Sequence, residues 1–168
     1  MNLKKSVFII FAALMLSVSL FGCDGNQTTN HQQSQSVASA NVSAQEVADN
    51  VKASVTLEDM QAMTETDLSA MYGIDLDDVA EFAGEMDSTG LRTDEFLIVL
   101  AKDSQSADRI LAKMNSRKTQ RMNESKNYNP QGYANAQKAP VAKKGNYVYL
   151  FISDSADDMV AAFEQIVP

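Results

Sequence analysis

The 168-residue chain has one cysteine, Cys23, and one histidine, His31. A single cysteine excludes an intramolecular disulfide, a zinc site made of several cysteines and a redox-active CxxC pair. Neither residue lies in the part that we predict to fold, from Ser43 onwards, so a nucleophile activated by histidine is excluded there. His31 has no second histidine and no cysteine near it, and we interpret it as a solvated linker residue rather than a metal ligand.

Basic residues and phosphate-binding motifs are scarce as well. The chain has 14 Lys and Arg against 22 Asp and Glu, a formal net charge of −8. Phosphate backbones repel such a chain, so no nucleic-acid partner is expected. The sequence contains no GxGxxG or P-loop motif, and its acidic clusters lack the ligand spacing of an EF-hand. Neither a cofactor nor a metal is therefore predicted.

The first residues have the pattern of a secretory signal. Lys4 and Lys5 precede an apolar stretch from Val7 to Leu20, which is short for a permanent membrane span of about 20 residues. We therefore expect residues 1–22 to be a signal peptide that is cleaved.

The end of this segment, Leu20-Phe21-Gly22-Cys23, resembles the bacterial lipobox, although Phe21 stands where a small residue is usual. The resemblance implies that the thiol of Cys23 receives a diacylglyceryl group, that a lipoprotein signal peptidase cuts before it, and that acyl chains such as palmitate hold the protein on the outer face of the cell membrane. Two acyl chains, at about 0.8 kcal/mol per buried CH₂, would anchor it firmly. The alternative is an uncleaved signal anchor with an unmodified cysteine.

Residues 23–42 comprise Cys23 and a polar segment rich in Gln, Ser, Asn and Thr. Such a composition cannot bury enough apolar surface to fold. It predicts a disordered tether with an end-to-end distance of about 25 Å.

Residues 43–168 are predicted to form one globular domain, since 45% of the chain is apolar and it has only seven Gly and three Pro. Ser43 has capping-box spacing to Glu46, and a short helical segment should end at Gly73. Alternating or continuous apolar residues predict strands, and apolar residues three and four apart predict helices. The predicted elements are strands at Val79–Met86, Glu95–Ala101 and Asn146–Ser153, helices at 103–124 and Ser155–Val167, and a loop at Tyr128–Pro140. This order predicts an α+β fold: a small, mainly antiparallel sheet with helices packed on one face.

Several short motifs within this pattern occur together. They are Tyr72-Gly73-Ile74-Asp75, Asp94-Glu95 before an apolar strand, the helix from Ala107 to Arg121, Tyr128-Asn129-Pro130 and Gly145-Asn146-Tyr147-Val148. Together they resemble an uncharacterised domain family found in short lipoproteins of Gram-positive anaerobes, over roughly Glu46 to the C-terminus. The resemblance implies a location and a fold, and it brings no established activity.

One helix concentrates the positive charge of this acidic chain. Arg109, Lys113, Arg117 and Arg121 recur four apart and should form one slowly drifting stripe. Lys113, Arg117 and Arg121 are therefore a candidate anion-binding face for phosphate-rich polymers or lipid headgroups. The alternative is a solvated helix face that balances nearby acids.

The sequence indicates no catalytic residues, and we expect a membrane-anchored, extracytoplasmic binding domain that is not an enzyme. Its partner would be an envelope polymer or a protein. The alternative is an envelope-acting hydrolase that uses paired carboxylates. Two buried carboxylates facing a deep pocket would favour the hydrolase, whereas a shallow surface would favour the binding domain.

Overall fold

The computed structural model describes residues 42–167, all of which belong to one compact unit. The predicted signal peptide, Cys23 and nearly all of the predicted tether lie outside the described residues. Within residues 42–167, no helix has both the length and the apolar character that crossing a membrane requires.

The described chain alternates helices and strands, with two short helical segments between them. The helices are α1 (Ala44–Ala53), α2 (Glu65–Asp67), α3 (Ser104–Ser125), α4 (Pro130–Lys138) and α5 (Ala156–Ile166), with a π-helical segment at Leu68–Tyr72 and a 3₁₀ turn at Leu76–Asp78. The strands are β1 (Met60–Ala62), β2 (Val79–Asp87), β3 (Glu95–Ala101), β4 (Val141–Lys144) and β5 (Tyr147–Ile152).

The five strands form one antiparallel sheet in the order β1-β2-β3-β5-β4. β3 and β5 are the central pair, with Phe96 opposite Phe151 and Ile98 opposite Tyr149. Every residue of both strands is buried. The predicted α+β class, the antiparallel sheet and the central position of β3 are confirmed.

The predicted packing of the helices on one face of the sheet is wrong in detail, because helices cover both faces. α1 and α5 pack on the face that presents Phe96, Ile98 and Phe151. α3, α4 and the π-helical segment pack on the face that presents Leu97, Val99 and Leu150. The physical reason is that β3 and β5 are apolar on both sides, and a strand of this kind must be covered on both sides.

The predicted helix ends are largely confirmed. The Ser43 hydroxyl accepts a hydrogen bond from the Glu46 N–H at the start of α1, and Asp103 caps α3 through the Ser106 N–H at 2.7 Å. Gly73 ends the π-helical segment in the left-handed conformation, at φ +66°. Each cap pairs a backbone group that the helix itself leaves without a partner.

The prediction of a loop at Tyr128–Pro140 is wrong, because Pro130–Lys138 forms helix α4. Asn129 caps this helix by accepting the Gly132 N–H at 2.8 Å, and Pro130 occupies the first helical position, where its missing N–H has no cost. Pro and Gly thus mark the first turn of a helix here rather than a loop. The short edge strands β1 and β4 were not predicted either.

The described chain enters the domain beside the first residue of β5. The Tyr147 hydroxyl donates to the Val42 carbonyl, and the Ala44 N–H donates to Glu81 Oε2 at 2.9 Å. Val42 also packs against the core formed with α1 and α5. The first described residue is therefore part of the fold.

These contacts give a first prediction about chain length. A chain that starts at Val37 should unfold with the same free energy as one that starts at Asp24, because residues 24–36 are too polar to contribute to a core. A chain that starts at Ser43 should be less stable by about 1–2 kcal/mol, because it loses a partly buried valine and the acceptor of the Tyr147 hydroxyl. Urea unfolding of the three chains measures this. Tyr147→Phe should recover part of the loss in the shortest chain, and lower stability on removal of 24–36 would contradict the prediction.

Candidate functional site

The structure does not bring Lys113, Arg117 and Arg121 onto one exposed face. The prediction that they form an anion-binding surface is therefore wrong. Lys113 is exposed, but the side chain of Arg117 is only 3% exposed and that of Arg121 only 18%. Both arginines point to Glu95, which itself is almost wholly buried.

Glu95 and Arg117 form a bidentate ion pair inside the domain. Arg117 Nε donates to Glu95 Oε1 at 2.9 Å and Nη2 donates to Oε2 at 2.7 Å, while the guanidinium lies 5.3 Å from the centre of the Tyr72 ring. The Tyr72 hydroxyl donates to Glu95 Oε1 at 2.6 Å. Burial and the Glu95 charge raise the pKa of Tyr72, so this hydroxyl stays protonated and continues to donate. The network is closed within the fold and offers no charge to an external ligand.

The other half of the predicted stripe lies at a surface groove of about 600 Å³ between α3 and the Gly73–Asp75 turn. Arg109 Nη2 lies 2.5 Å from Asp78 Oδ1, and Nε donates to Asp78 Oδ2 at 2.9 Å. The hydrogen bonds from Arg109 lower the pKa of Asp78, which therefore remains ionised. The groove holds Asp75 and Asp78 as well as Arg109 and Lys113, so its charges balance and it presents no net positive face.

A second candidate is a polar cleft at the opposite end of the sheet. We call it the polar cleft; its volume is about 230 Å³ and it is lined by Leu91 to Asp94, by side chains of α4 and by Asp154. A second hollow of about 200 Å³ shares three of its residues, Gln131, Asn135 and Asp154. The polar lining consists of hydroxyl, amide and carboxylate groups and one guanidinium group: Thr93, Asn129, Gln131, Asn135, Asp94, Asp154 and Arg92.

The sheet topology explains why these residues meet. Glu95 of β3 lies opposite Ile152 of β5, so Asp94, just before β3, and Asp154, just after β5, occupy the same end of the sheet. α4 lies over this end because Gly132 approaches Thr93 closely: a Cβ on Gly132 would lie 2.5 Å from Thr93 Cγ2. Only glycine permits this approach, and it brings the amide side chains of α4 to the cleft.

Arg92 also lines the cleft, and its charge is shared among several carboxylates. Its guanidinium lies 3.2 Å from Asp59, 3.3 Å from Asp87 and 3.5 Å from Asp94, measured between the nearest nitrogen and carboxylate oxygen atoms. Its backbone N–H donates to Asp87 Oδ2 at 3.1 Å. The cleft is therefore acidic rather than basic.

The acidic surroundings of the cleft affect the pKa of Asp94. Burial raises the pKa of Asp94, and the nearby charges of Asp154 and Asp87 add to this effect while Arg92 opposes it. A hydrogen-bond donor or a cation in the cleft would favour the ionised form of Asp94.

Thr93 provides an unusual polar group in the wall of the cleft. The residue is only 6% exposed, and its Oγ1 has no hydrogen-bond partner among the described residues. A buried hydroxyl without a partner costs about 1–3 kcal/mol. Such a group at a cleft indicates a position where a bound polar molecule would be stabilised.

Sequence patterns offer little indication of this cleft, since its residues come from three distant segments. Only one local signal could have helped: Asn129-Pro130 is a cap followed by the preferred first helical residue. That signal would have predicted α4, which carries Gln131 and Asn135, but not its position above Thr93.

The structure also bears on the hydrolase alternative. Asp94 is partly buried, its side chain 20% exposed, whereas Asp154 is exposed. In residues 42–167 no group of three or more His, Cys, Asp or Glu side chains is arranged to hold a metal ion. The cleft thus lacks two buried carboxylates facing a deep pocket.

Comparison with known proteins gives a family for this domain. A family model described as a domain of unknown function, DUF4358, matches residues 53–153. Neither the curated proteins nor the solved structures gave a significant match. The matched range covers more than half of the 168 residues and contains the whole lining of the polar cleft except Asp154. The chain therefore belongs to the DUF4358 family, a domain of unknown function.

Proposed function

We propose that this chain is an exported lipoprotein, held on the outer face of the cell membrane by lipid on Cys23, that presents its DUF4358 domain as a binding module which is not an enzyme. The lipobox-like sequence Leu20-Phe21-Gly22-Cys23 and the preceding apolar stretch support the anchoring. The partner is a component of the cell envelope, either a polymer or a protein.

The observation that carries the binding role is the contrast between the polar cleft and the rest of the charged groups. Glu95 pairs with Arg117 inside the fold, and Asp78 pairs with Arg109 at the surface groove. Among residues 42–167, four buried side-chain atoms have no hydrogen-bond partner, and two of them, Thr93 Oγ1 and Arg92 Nε, belong to residues that line the cleft. A buried polar group without a partner calls for an explanation, and a bound polar molecule beside it is one.

A hydrolase acting on the envelope through carboxylates is the second candidate. The specific observation in its favour is the raised pKa of Asp94 beside Asp154, because a general acid must hold a proton near neutral pH. Against it, Asp154 is exposed and the cleft has a volume of only about 230 Å³, so the site lacks the two buried carboxylates at a deep pocket that would favour a hydrolase.

The anchoring predicts a complete loss of lipid from one variant. In cells fed a labelled fatty acid, Cys23→Ala should carry no label and should accumulate as the precursor, because the chain has no other thiol. Phe21→Ala is the matched control, since it keeps the thiol and should be labelled as well as the natural sequence. Label that persists in Cys23→Ala would end the lipoprotein proposal.

The same cells test the binding role. A photo-reactive residue placed at Gln131, in the cleft, should form adducts with an envelope component, whereas the same residue at Gln137, exposed on the same helix but outside the cleft lining, should not. Equal yields from the two positions would show that the cleft is not the binding site. Turnover of purified cell-wall material that Asp94→Asn abolishes would establish the hydrolase in its place.

A further inference from the structure

We infer that the polar cleft binds a saccharide without negative charge, neutral or amine-bearing, as a segment of one or two sugar units. The inference rests on the proposed binding function and names its ligand class. Four observations carry it: the hydrogen-bonding groups of the lining, the charge of the cleft, the apolar side chains near it and its size.

The hydrogen-bonding groups suit a molecule that is rich in hydroxyls. Each sugar hydroxyl can donate one hydrogen bond and accept others. Asp94 and Asp154 offer acceptors. The Gln131 amide donates to Asn135 Oδ1 at 2.9 Å, which leaves Gln131 Oε1 as an acceptor and the Asn135 amide as a donor. Planar carboxylate and amide groups can pair with two neighbouring hydroxyls at once. Thr93 Oγ1, buried and without a partner within residues 42–167, is a further group that a bound hydroxyl could satisfy.

The charge of the cleft selects against anionic ligands. Asp94 and Asp154 lie in the lining, and Asp157 lies in the adjoining hollow. Arg92 of the lining is shared among several carboxylates, and Arg121 nearby pairs with Glu95 and Glu124. The basic group left to oppose these acids is Lys138 of the adjoining hollow. A phosphate or a uronic acid would be repelled, whereas a neutral sugar would not and an amino sugar would be attracted.

Two exposed apolar side chains lie at or near the mouth of the cleft. Leu91, 80% exposed, is part of the lining, and Tyr128, 71% exposed, directly precedes Asn129 of the lining. They are two of the three large hydrophobic side chains that are exposed among the described residues. Sugar rings have C–H faces that pack on aromatic and aliphatic surfaces, so these side chains complement the polar lining.

The size of the site limits the ligand to a short segment. The cleft of about 230 Å³ continues into the hollow of about 200 Å³, and both are below the range of about 300–1,000 Å³ that is usual for drug-sized ligands. A single sugar ring fills a space of this kind, and a second ring reaches the adjoining hollow.

The experiment is a titration of the domain, residues 37–168, whose two hydrophobic cores consist of described residues. The probes are diacetylchitobiose, chitobiose and, as anionic comparisons, galacturonic acid and glucose 6-phosphate. Diacetylchitobiose or chitobiose should shift the amide NMR resonances of Thr93, Asn135 and Asp154 and bind measurably. Asn135→Ala and Asp154→Asn should each weaken binding about fivefold to tenfold, the usual effect of losing one hydrogen-bond partner. Chitobiose should lose affinity with rising salt and diacetylchitobiose should not.

The controls separate the cleft from the rest of the surface. Gln137→Ala, on α4 but outside the lining, and Asp158→Asn, next to the cleft side of α5, should leave the affinity for the same probe unchanged. Absence of binding by both neutral and amine-bearing probes would overturn the inference, as would tighter binding of the anionic probes or affinities that the cleft variants do not change. Crosslinked adducts at Gln131 without sugar binding would leave the binding module standing and refute only the saccharide.

Discussion

Replacing Arg117 by alanine is expected to lower the free energy of unfolding by about 3–5 kcal/mol, the usual effect of removing one partner of a buried ion pair. The side chain of Glu95 is 1% exposed and would remain as a buried charge with Tyr72 and Arg121 as its other partners. Chemical denaturation of the purified domain measures this loss. The cost arises from the charge left behind and not from any ligand.

Two variants make this result specific. Lys113→Ala lies on the same helix at an exposed position and should change stability by about 0.5 kcal/mol at most. The pair Glu95→Gln with Arg117→Met removes both charges, and its loss should be smaller than the sum of the two single losses by about 2 kcal/mol. If Arg117→Ala and Lys113→Ala cost the same, Arg117 is not part of a buried network.

The second large effect is expected at Gly84, in the middle of β2. A Cβ at this position would lie 2.4 Å from the Phe96 carbonyl oxygen and 3.0 Å from the Leu97 Cα. These are backbone atoms of the central strand and cannot turn aside as a side chain would. Gly84→Ala should therefore destabilise the domain by about 3 kcal/mol, at the upper end of the usual cost of overpacking.

Gly145→Ala is the matched comparison for Gly84→Ala. Gly145 has a positive φ of +58° but no neighbouring atom within 4 Å of the position of a Cβ. The cost there should be about 1 kcal/mol, from backbone strain alone. Thermal unfolding of the two variants separates a steric collision from strain, and equal melting temperatures would show that β2 and β3 can move apart at Gly84.

The sequence predicted the central elements well because their patterns depend on neighbouring residues. Glu95–Ala101 is apolar on both faces and became the central strand β3. The helix predicted over 103–124 is observed at Ser104–Ser125. The same double-sided apolar pattern already contained the reason for helices on both faces, since two apolar faces need two covers.

The burial of Arg117 could also have been predicted from the sequence, because the helical periodicity places this residue toward the core and not on the surface. Residues four apart on a helix drift by about 40° per step, so a stripe that begins at Arg109 turns toward the core. Arg117 lies three residues after Met114 and seven after Ile110, which are both buried. Its spacing is that of a core position, and charge alone led to its prediction as a surface residue.

The polar cleft, in contrast, depends on contacts that no local pattern contains. Thr93, Asn135 and Asp154 come together only because β3 and β5 are antiparallel neighbours and α4 returns over their ends. The close approach of Gly132 to Thr93 depends on where α4 packs. Short stretches of sequence predict the helix and the strands, but they do not predict which ends of these elements come together.

The contact between Val42 and Tyr147 places the entry of the chain far from the polar cleft. Val42 enters beside the first residue of β5, whereas Asp154 follows the last residue of the same strand, so the point of attachment and the cleft occupy opposite ends of the sheet. The seven residues of β3 between these ends span about 20 Å. That distance exceeds the screening length of about 8 Å in physiological salt. Charges near the point where the chain enters the domain would therefore have little effect on a ligand in the cleft.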